Sequence, residues 1–117
     1  MRLCLINPPR IQPKIWGKPS VYQPMDLTYV AAILERQHKV QIIDVPNEGW
    51  SNLEEIGGAK YRQGLKNEEI IARIRDFSPD MVVITVPFSG WSNAAFDVAA
   101  TVKNVNKDIV TVLIGLH

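Results

Sequence analysis

Apolar positions along the chain follow two rhythms. Four short runs are almost continuously apolar: residues 2–6 (RLCLI), 40–45 (VQIIDV), 81–86 (MVVITV) and 109–114 (IVTVLI). The first is stopped by Asn7, Pro8 and Pro9, the second by Pro46, the third by Pro87 and the last by Gly115. Such runs are what a strand buried on both faces requires. Between them the apolar residues recur at helical spacing. Leu27, Val30, Ala31 and Leu34 mark a helix over 25–37, with Asp26 favouring its positive N-terminus. Ile70, Ile71, Ile74 and Phe77 mark a second, capped by Asn67 and ended by Ser78 and Pro79. Ala95, Val98, Ala99 and Val102 mark a third, opened by Ser92 or Asn93. Strands that alternate with helices predict a three-layer α/β domain around a parallel sheet.

Two stretches lack either rhythm. Residues 10–24 hold three prolines and read as a long loop. Residues 47–66 read as a second, with one short helical turn opened by a Ser51 and Glu54 capping box and stopped by Gly57 and Gly58. His38 and Lys39 make the turn into the second strand. There are no internal repeats or linkers, so 1–117 reads as one domain. A covering helix is expected after the fourth strand, where the chain stops, so the domain reads as truncated at its C-terminal end.

Composition narrows the function. At 46% hydrophobic and 21% charged, with mean hydropathy −0.03, the chain is neither disordered nor built to span a membrane. No apolar run approaches the roughly 20 residues of a transmembrane segment, and the N-terminus has no signal-peptide cleavage site. The default location is cytoplasmic. A net charge of +1 with no basic block argues against nucleic acid as a partner. The single cysteine, Cys4, excludes an internal disulfide and a multi-cysteine metal or iron–sulfur site, and reads as a small buried hydrophobe. No familiar zinc spacing joins it to His38 and His117.

Open parallel sheets bind ligands beyond the carboxyl ends of their strands. Trp16, Trp50 and Trp91 all fall in loops at that edge, with Tyr22, Tyr61 and Phe88, whereas Tyr29, Phe77 and Phe96 lie in helices. The expected edge is a broad apolar surface for a large flat ligand or for a neighbouring domain. No glycine-rich phosphate loop follows the first strand, which argues against dinucleotide, nucleoside triphosphate and flavin sites. Asn7 and the run Thr85, Val86, Pro87 stand where a phospho-receiver needs carboxylates. Asp44, Thr85 and Ser89 suit either ligand contact or capping. His38 is expected as an exposed turn residue at the opposite edge. Lys60, Arg62 and Lys66 are expected to solvate the long loop.

The run LINPP at 5–9, the loop to Pro24, the helix LTYVAAIL at 27–34, then HKVQIID, SPDMVVITV and VLIGLH in order resemble the N-terminal cobalamin-binding-type domain of radical S-adenosylmethionine enzymes. Tyr61 and Gly64 before Asn67, Glu68, Glu69 and Ile70, and the pair Phe88 and Ser89, resemble more narrowly the anaerobic magnesium-protoporphyrin IX monomethyl ester cyclase branch. The resemblance spans essentially the whole chain. It implies a Rossmann-like sheet in flavodoxin-like order, second, first, third, fourth, fifth, of which four strands are present here. It also implies a cofactor-presenting role, for methyl transfer or for tetrapyrrole modification such as oxidative ring cyclisation. Carried onto this chain, the cobalamin-binding positions are Asn7, Pro8, Pro9, Thr85, Val86, Ser89, Gly115 and His117. The DxHxxG fingerprint is absent, so cobalamin is expected without a lower axial histidine from the first loop.

The CxxxCxxC triad is absent too. Any 4Fe-4S cluster, S-adenosylmethionine and catalysis are therefore assigned by the resemblance to a C-terminal radical SAM domain of the same polypeptide. This chain is expected to hold no catalytic residue. An alternative keeps the fold without cobalamin, as a docking and substrate-access domain for the catalytic barrel, and an unrelated α/β binding module is a third possibility. The uncharged fourth strand, exposed at the sheet's edge, is expected to promote self-association.

Overall fold

The computed structural model describes residues 1–19, 24–86 and 92–115. In chain order the elements are β1 (Arg2–Asn7), β2 (Arg10–Pro13), α1 (Met25–Leu34), β3 (Lys39–Asp44), α2 (Val45–Glu48), β4 (Leu53–Ile56), β5 (Lys60–Gln63), α3 (Asn67–Phe77), β6 (Met81–Val86), α4 (Ser92–Val105) and β7 (Val110–Gly115).

β3, β1, β6 and β7 form one parallel sheet in that spatial order. This is the second, first, third, fourth arrangement, and the fold is Rossmann-like. In register, Leu5 lies between Ile42 and Val83, and Ile6 between Ile43 and Ile84. Because side chains alternate across a strand, β1 divides its residues between two cores. Leu5 and Val83 pack under Leu27 and Ala31 of α1. Cys4, Ile6, Val82 and Ile84 pack on the other face beneath Ile70 and Ile74 of α3 and Val98 and Val102 of α4. Each large aliphatic side chain buried this way contributes about 1.5–3 kcal/mol. α3 and α4 cover one face together, but α1 packs mainly on β1 and β3. Val110 and Val112 of β7 remain exposed.

Helix ends follow local chemistry. At the start of α3 the Glu69 carboxylate reaches back to accept the Lys66 N–H at 3.1 Å. Asn67 is thus the first helical residue, not the cap expected of it. Ser78 ends the helix in the left-handed conformation.

The two stretches expected to be loops pair with each other. β2, β5 and β4 make a separate antiparallel sheet in that order, with Arg10 opposite Gln63 and Leu53 opposite Gln63 on the other side. Gly57 and Gly58 turn this hairpin instead of stopping a helix, with Gly58 and Ala59 at positive φ. The Ser51 and Glu54 capping box is overturned, since Glu54 lies in β4. The helical turn falls earlier: α2 begins at Val45, expected to be the last strand residue, and carries Pro46 in its first turn, where a missing N–H costs little.

The small sheet is clamped to the large one. Leu65 N–H donates to the Val45 carbonyl at 3.0 Å, while Gly64 N–H, donating to that of Asn52 at 3.2 Å, extends the ladder of the small sheet itself. The approach is so close that a Cβ on Gly49 would lie 2.2 Å from the Leu65 nitrogen. Gly64, one of the residues carrying the narrower resemblance, sits at φ +140 against Val45. No helix among the described residues is long and apolar enough to cross a membrane.

Candidate functional site

The ends of β1, β3 and β6 form a polar corner at the carboxyl edge, and strand register creates it. Asn7 and Asp44 are paired positions on adjacent parallel strands, so their side chains share a face. Asn7, 1% exposed, donates through Nδ2 to Asp44 Oδ1 at 3.0 Å. The other Asp44 oxygen accepts from Asn47 Nδ2. Asp44 N–H in turn donates to Glu48 Oε2 at 2.8 Å. Glu48 is ion-paired with Arg73 of α3, which also reaches the Ile42 carbonyl at 3.4 Å. One chain of polar contacts therefore runs from β1 through β3 and α2 to α3.

Thr85, at the end of β6, is 1% exposed. Its hydroxyl donates to Asp26 Oδ2 at 2.8 Å, while Asp26 Oδ1 accepts the Leu27 N–H at 2.9 Å. Thr85 thereby ties β6 to the start of α1 and has no hydroxyl proton left for another acceptor. Among the described residues, two buried side-chain carbonyl oxygens near this edge have no hydrogen-bond donor, Asn7 Oδ1 and Gln63 Oε1. Gln63 uses its Nε2 on the Trp50 carbonyl at 2.9 Å. Arg10, buried opposite Gln63, is engaged in contacts of its own.

Aromatic side chains stand on the small sheet and on the segments that flank it. Trp16 and Trp50 are 67% and 68% exposed, whereas Tyr61 is half-buried with the Lys14 ammonium 5.9 Å from its ring centroid. A cleft of about 220 Å³ opens between β2, Trp16 and Lys60 on one side and Asn93 and Ala94 of α4 on the other.

Of the residues expected to bind cofactor, Asn7 and Thr85 end neighbouring strands. Pro8, Pro9 and Val86 are buried beside them. Gly115 ends β7, one strand further out, and is exposed. Ser89 and His117 lie outside the described residues, as do Trp91, Tyr22 and Phe88. Asp44 is a holder of side chains at this edge, and its partners Asn47, Glu48 and Arg73 were not anticipated. Nor was Asp26 as a partner of Thr85.

Other expectations resolve into structural roles. Cys4 is fully buried, and desolvation pushes its thiol up to about 12 against the pull of Arg73. It is an inert core residue. Arg62 does not solvate a loop: it donates to the Leu65 carbonyl at 2.9 Å, and burial lowers its pKa although Glu54 and Glu68 oppose the shift. His38 lies at the amino edge but is half-buried where an exposed residue was expected, because its turn folds back on α1 through its N–H to the Leu34 carbonyl at 3.0 Å. The corner's amides, hydroxyl and carboxylates mostly satisfy one another.

The chain is similar to cytidylyl-2-hydroxyethylphosphonate methyltransferase of Streptomyces wedmorensis, with 31% identity over 102 residues, covering 85% of this chain and 19% of that protein. It is also similar to an uncharacterized methyltransferase of Pyrococcus horikoshii, with 27% identity over 117 residues, covering 100% of this chain and 22% of that protein. The chain spans about a fifth of the length of these curated relatives. It is thus related to a segment of methyltransferases. No protein-family model matches the chain, and no solved structure matches it significantly.

Proposed function

We propose that this chain is a cofactor-presenting domain of a methyltransferase, holding cobalamin at the carboxyl edge of its parallel sheet. One observation carries the reading: the segment related to methyltransferases is a Rossmann-like sheet whose ligand edge combines a buried hydrogen-bonding floor with exposed tryptophans. The residues fit the group. A corrin is broad and flat with an apolar face, which suits an edge that carries exposed tryptophans. Asn7, Pro8, Pro9, Thr85, Val86 and Gly115 would contribute to it, and the resemblance adds Ser89 and His117, which lie outside the described residues. The first loop contributes Asn7 and two prolines, and no axial histidine.

When bound, the corrin cobalt supplies a carrier for a methyl group between donor and acceptor. This chain's residues bind and orient it and shield one side from water. The 4Fe-4S cluster, S-adenosylmethionine and catalytic residues belong, in this reading, to a radical SAM domain elsewhere in a longer polypeptide. The methyltransferase relatives favour methyl transfer over ring cyclisation. Exposed Trp16 and Trp50 support a second reading, in which the same edge serves only as a dock for that domain and shapes substrate access.

Tryptophan fluorescence tests the proposal. Hydroxocobalamin should quench the chain's emission beyond the inner-filter loss measured with free tryptophan, and Thr85→Ala should weaken the effect. Quenching equal to that of free tryptophan favours the docking role.

A further inference from the structure

We infer that the outer side of α1 and the open part of the sheet face beside it form an interface between two copies of this chain. α1 is the element that points there. Its residues 27–34 carry no charge, and Met25, Tyr29 and Ile33, successive turns apart, are each more than half exposed. Leu27 and Ala31 pack against the sheet, so at about 3.6 residues per turn the exposed stripe faces directly away from it. α3, by contrast, shows Glu68, Arg75 and Asp76 to water. A helix that is apolar on every side is one that is covered on every side.

The sheet supplies the matching surface. α1 packs mainly on β1 and β3, whereas α3 and α4 lie on the opposite face. Val110, Val112 and Ile114 alternate along β7 on the α1 side, in register with Met81, Val83 and Thr85 of β6. Val110 and Val112 are exposed. The face is therefore a ridge, α1, beside a shelf over β6 and β7, and both are apolar.

A two-fold axis parallel to the strands sets each α1 on the other copy's shelf, so that each helix is enclosed between two sheets. A single helix laid on the shelf would cover Val110 and Val112 but leave the α1 stripe in water. Charge complements the fit. α1 runs back against the parallel strands, so Glu35 and Arg36 at its end lie at the amino edge, as do Lys107 and Asp108 just before β7. All four are exposed, and none is ion-paired among the described residues. The two-fold keeps this edge on the same side in both copies and brings Glu35 and Arg36 of one to Lys107 and Asp108 of the other. Strands of six residues make a four-strand face of roughly 20 by 20 Å, which the ridge enlarges to about 600 Å² per copy, the low end for a specific interface. The dimer is accordingly expected in the micromolar range. Strand pairing along the outer backbone of β7 is a different contact and leaves this face open.

Sedimentation equilibrium of the 117-residue chain across a micromolar concentration series is the test. Tyr29→Lys combined with Ile33→Lys alters only exposed side chains, so the fold is kept. It should raise the dimer dissociation constant about a hundredfold, because the two-fold repeats each change. Arg36→Asp should raise it about fivefold, and Asp108→Arg in the same chain should restore it, a recovery that a non-specific apolar contact does not give. A wild type that stays monomeric would overturn the inference and leave the face to another part of a longer polypeptide. Association unchanged by the α1 double variant would overturn it too, and would place the contact at the β7 edge. Loss on Arg36→Asp without recovery would overturn the two-fold arrangement.

Discussion

Cys4 illustrates how a residue without a catalytic part still governs behaviour. Its side chain sits in the core beneath α3 and α4, where desolvation raises its pKa from 9.0 to about 12. The folded chain therefore retains a proton that the unfolded chain surrenders above pH 9 or so. Stability from this residue is complete below the unfolded pKa and declines as pH rises towards the folded one, by at most about 1.4 kcal/mol per unit. Urea unfolding at pH 8 and pH 10.5 should show the wild type losing about 2 kcal/mol more over that interval than Cys4→Ala does. Equal losses would mean that the thiolate is tolerated in the core. At the same scale, strand-end positions made Asn7, Asp44 and Thr85 legible as candidates from the sequence. Their partners were not legible, because Asp26 and Thr85 lie 59 residues apart and meet only through the packing of α1.

Elements were legible where one physical signal dominates. The four parallel strands and three long helices are written in apolar rhythm, and their bounds in the fold differ from those expected by only a few residues. The small sheet has no such signal. LEEI and KYRQ carry charges on four-residue strands, and β2 pairs with β5 across half the chain, so nothing local marks them. Val45 continues an apolar run and so mimics a strand residue, although it opens α2. The clamp between the sheets makes its own prediction. Gly49→Ala places a Cβ within 2.2 Å of the Leu65 nitrogen, which should cost about 1–3 kcal/mol, as overpacking does. It should also break the Leu65 N–H bond to Val45. A thermal melt together with faster amide exchange at Leu65 checks this, and an unchanged melt would show that α2 shifts freely.

The whole molecule has one well-covered sheet face and one that is partly open. Among the described residues β7 is the last strand, uncharged, free of proline and exposed at Val110, Val112 and Leu113. An edge of that kind recruits another strand. The 117-residue chain should self-associate through β7, most simply about a two-fold axis, and Val112→Lys should suppress it. Sedimentation across a concentration series measures this, and a strictly monomeric wild type at high micromolar concentration would contradict it. The most direct measurement of the central claim is the visible absorption spectrum of the chain after incubation with hydroxocobalamin and desalting. Corrin bands that remain with the protein, and are lost on Asn7→Leu in a chain that still folds, are the predicted result. A colourless wild-type protein would contradict the assignment of this edge to cobalamin.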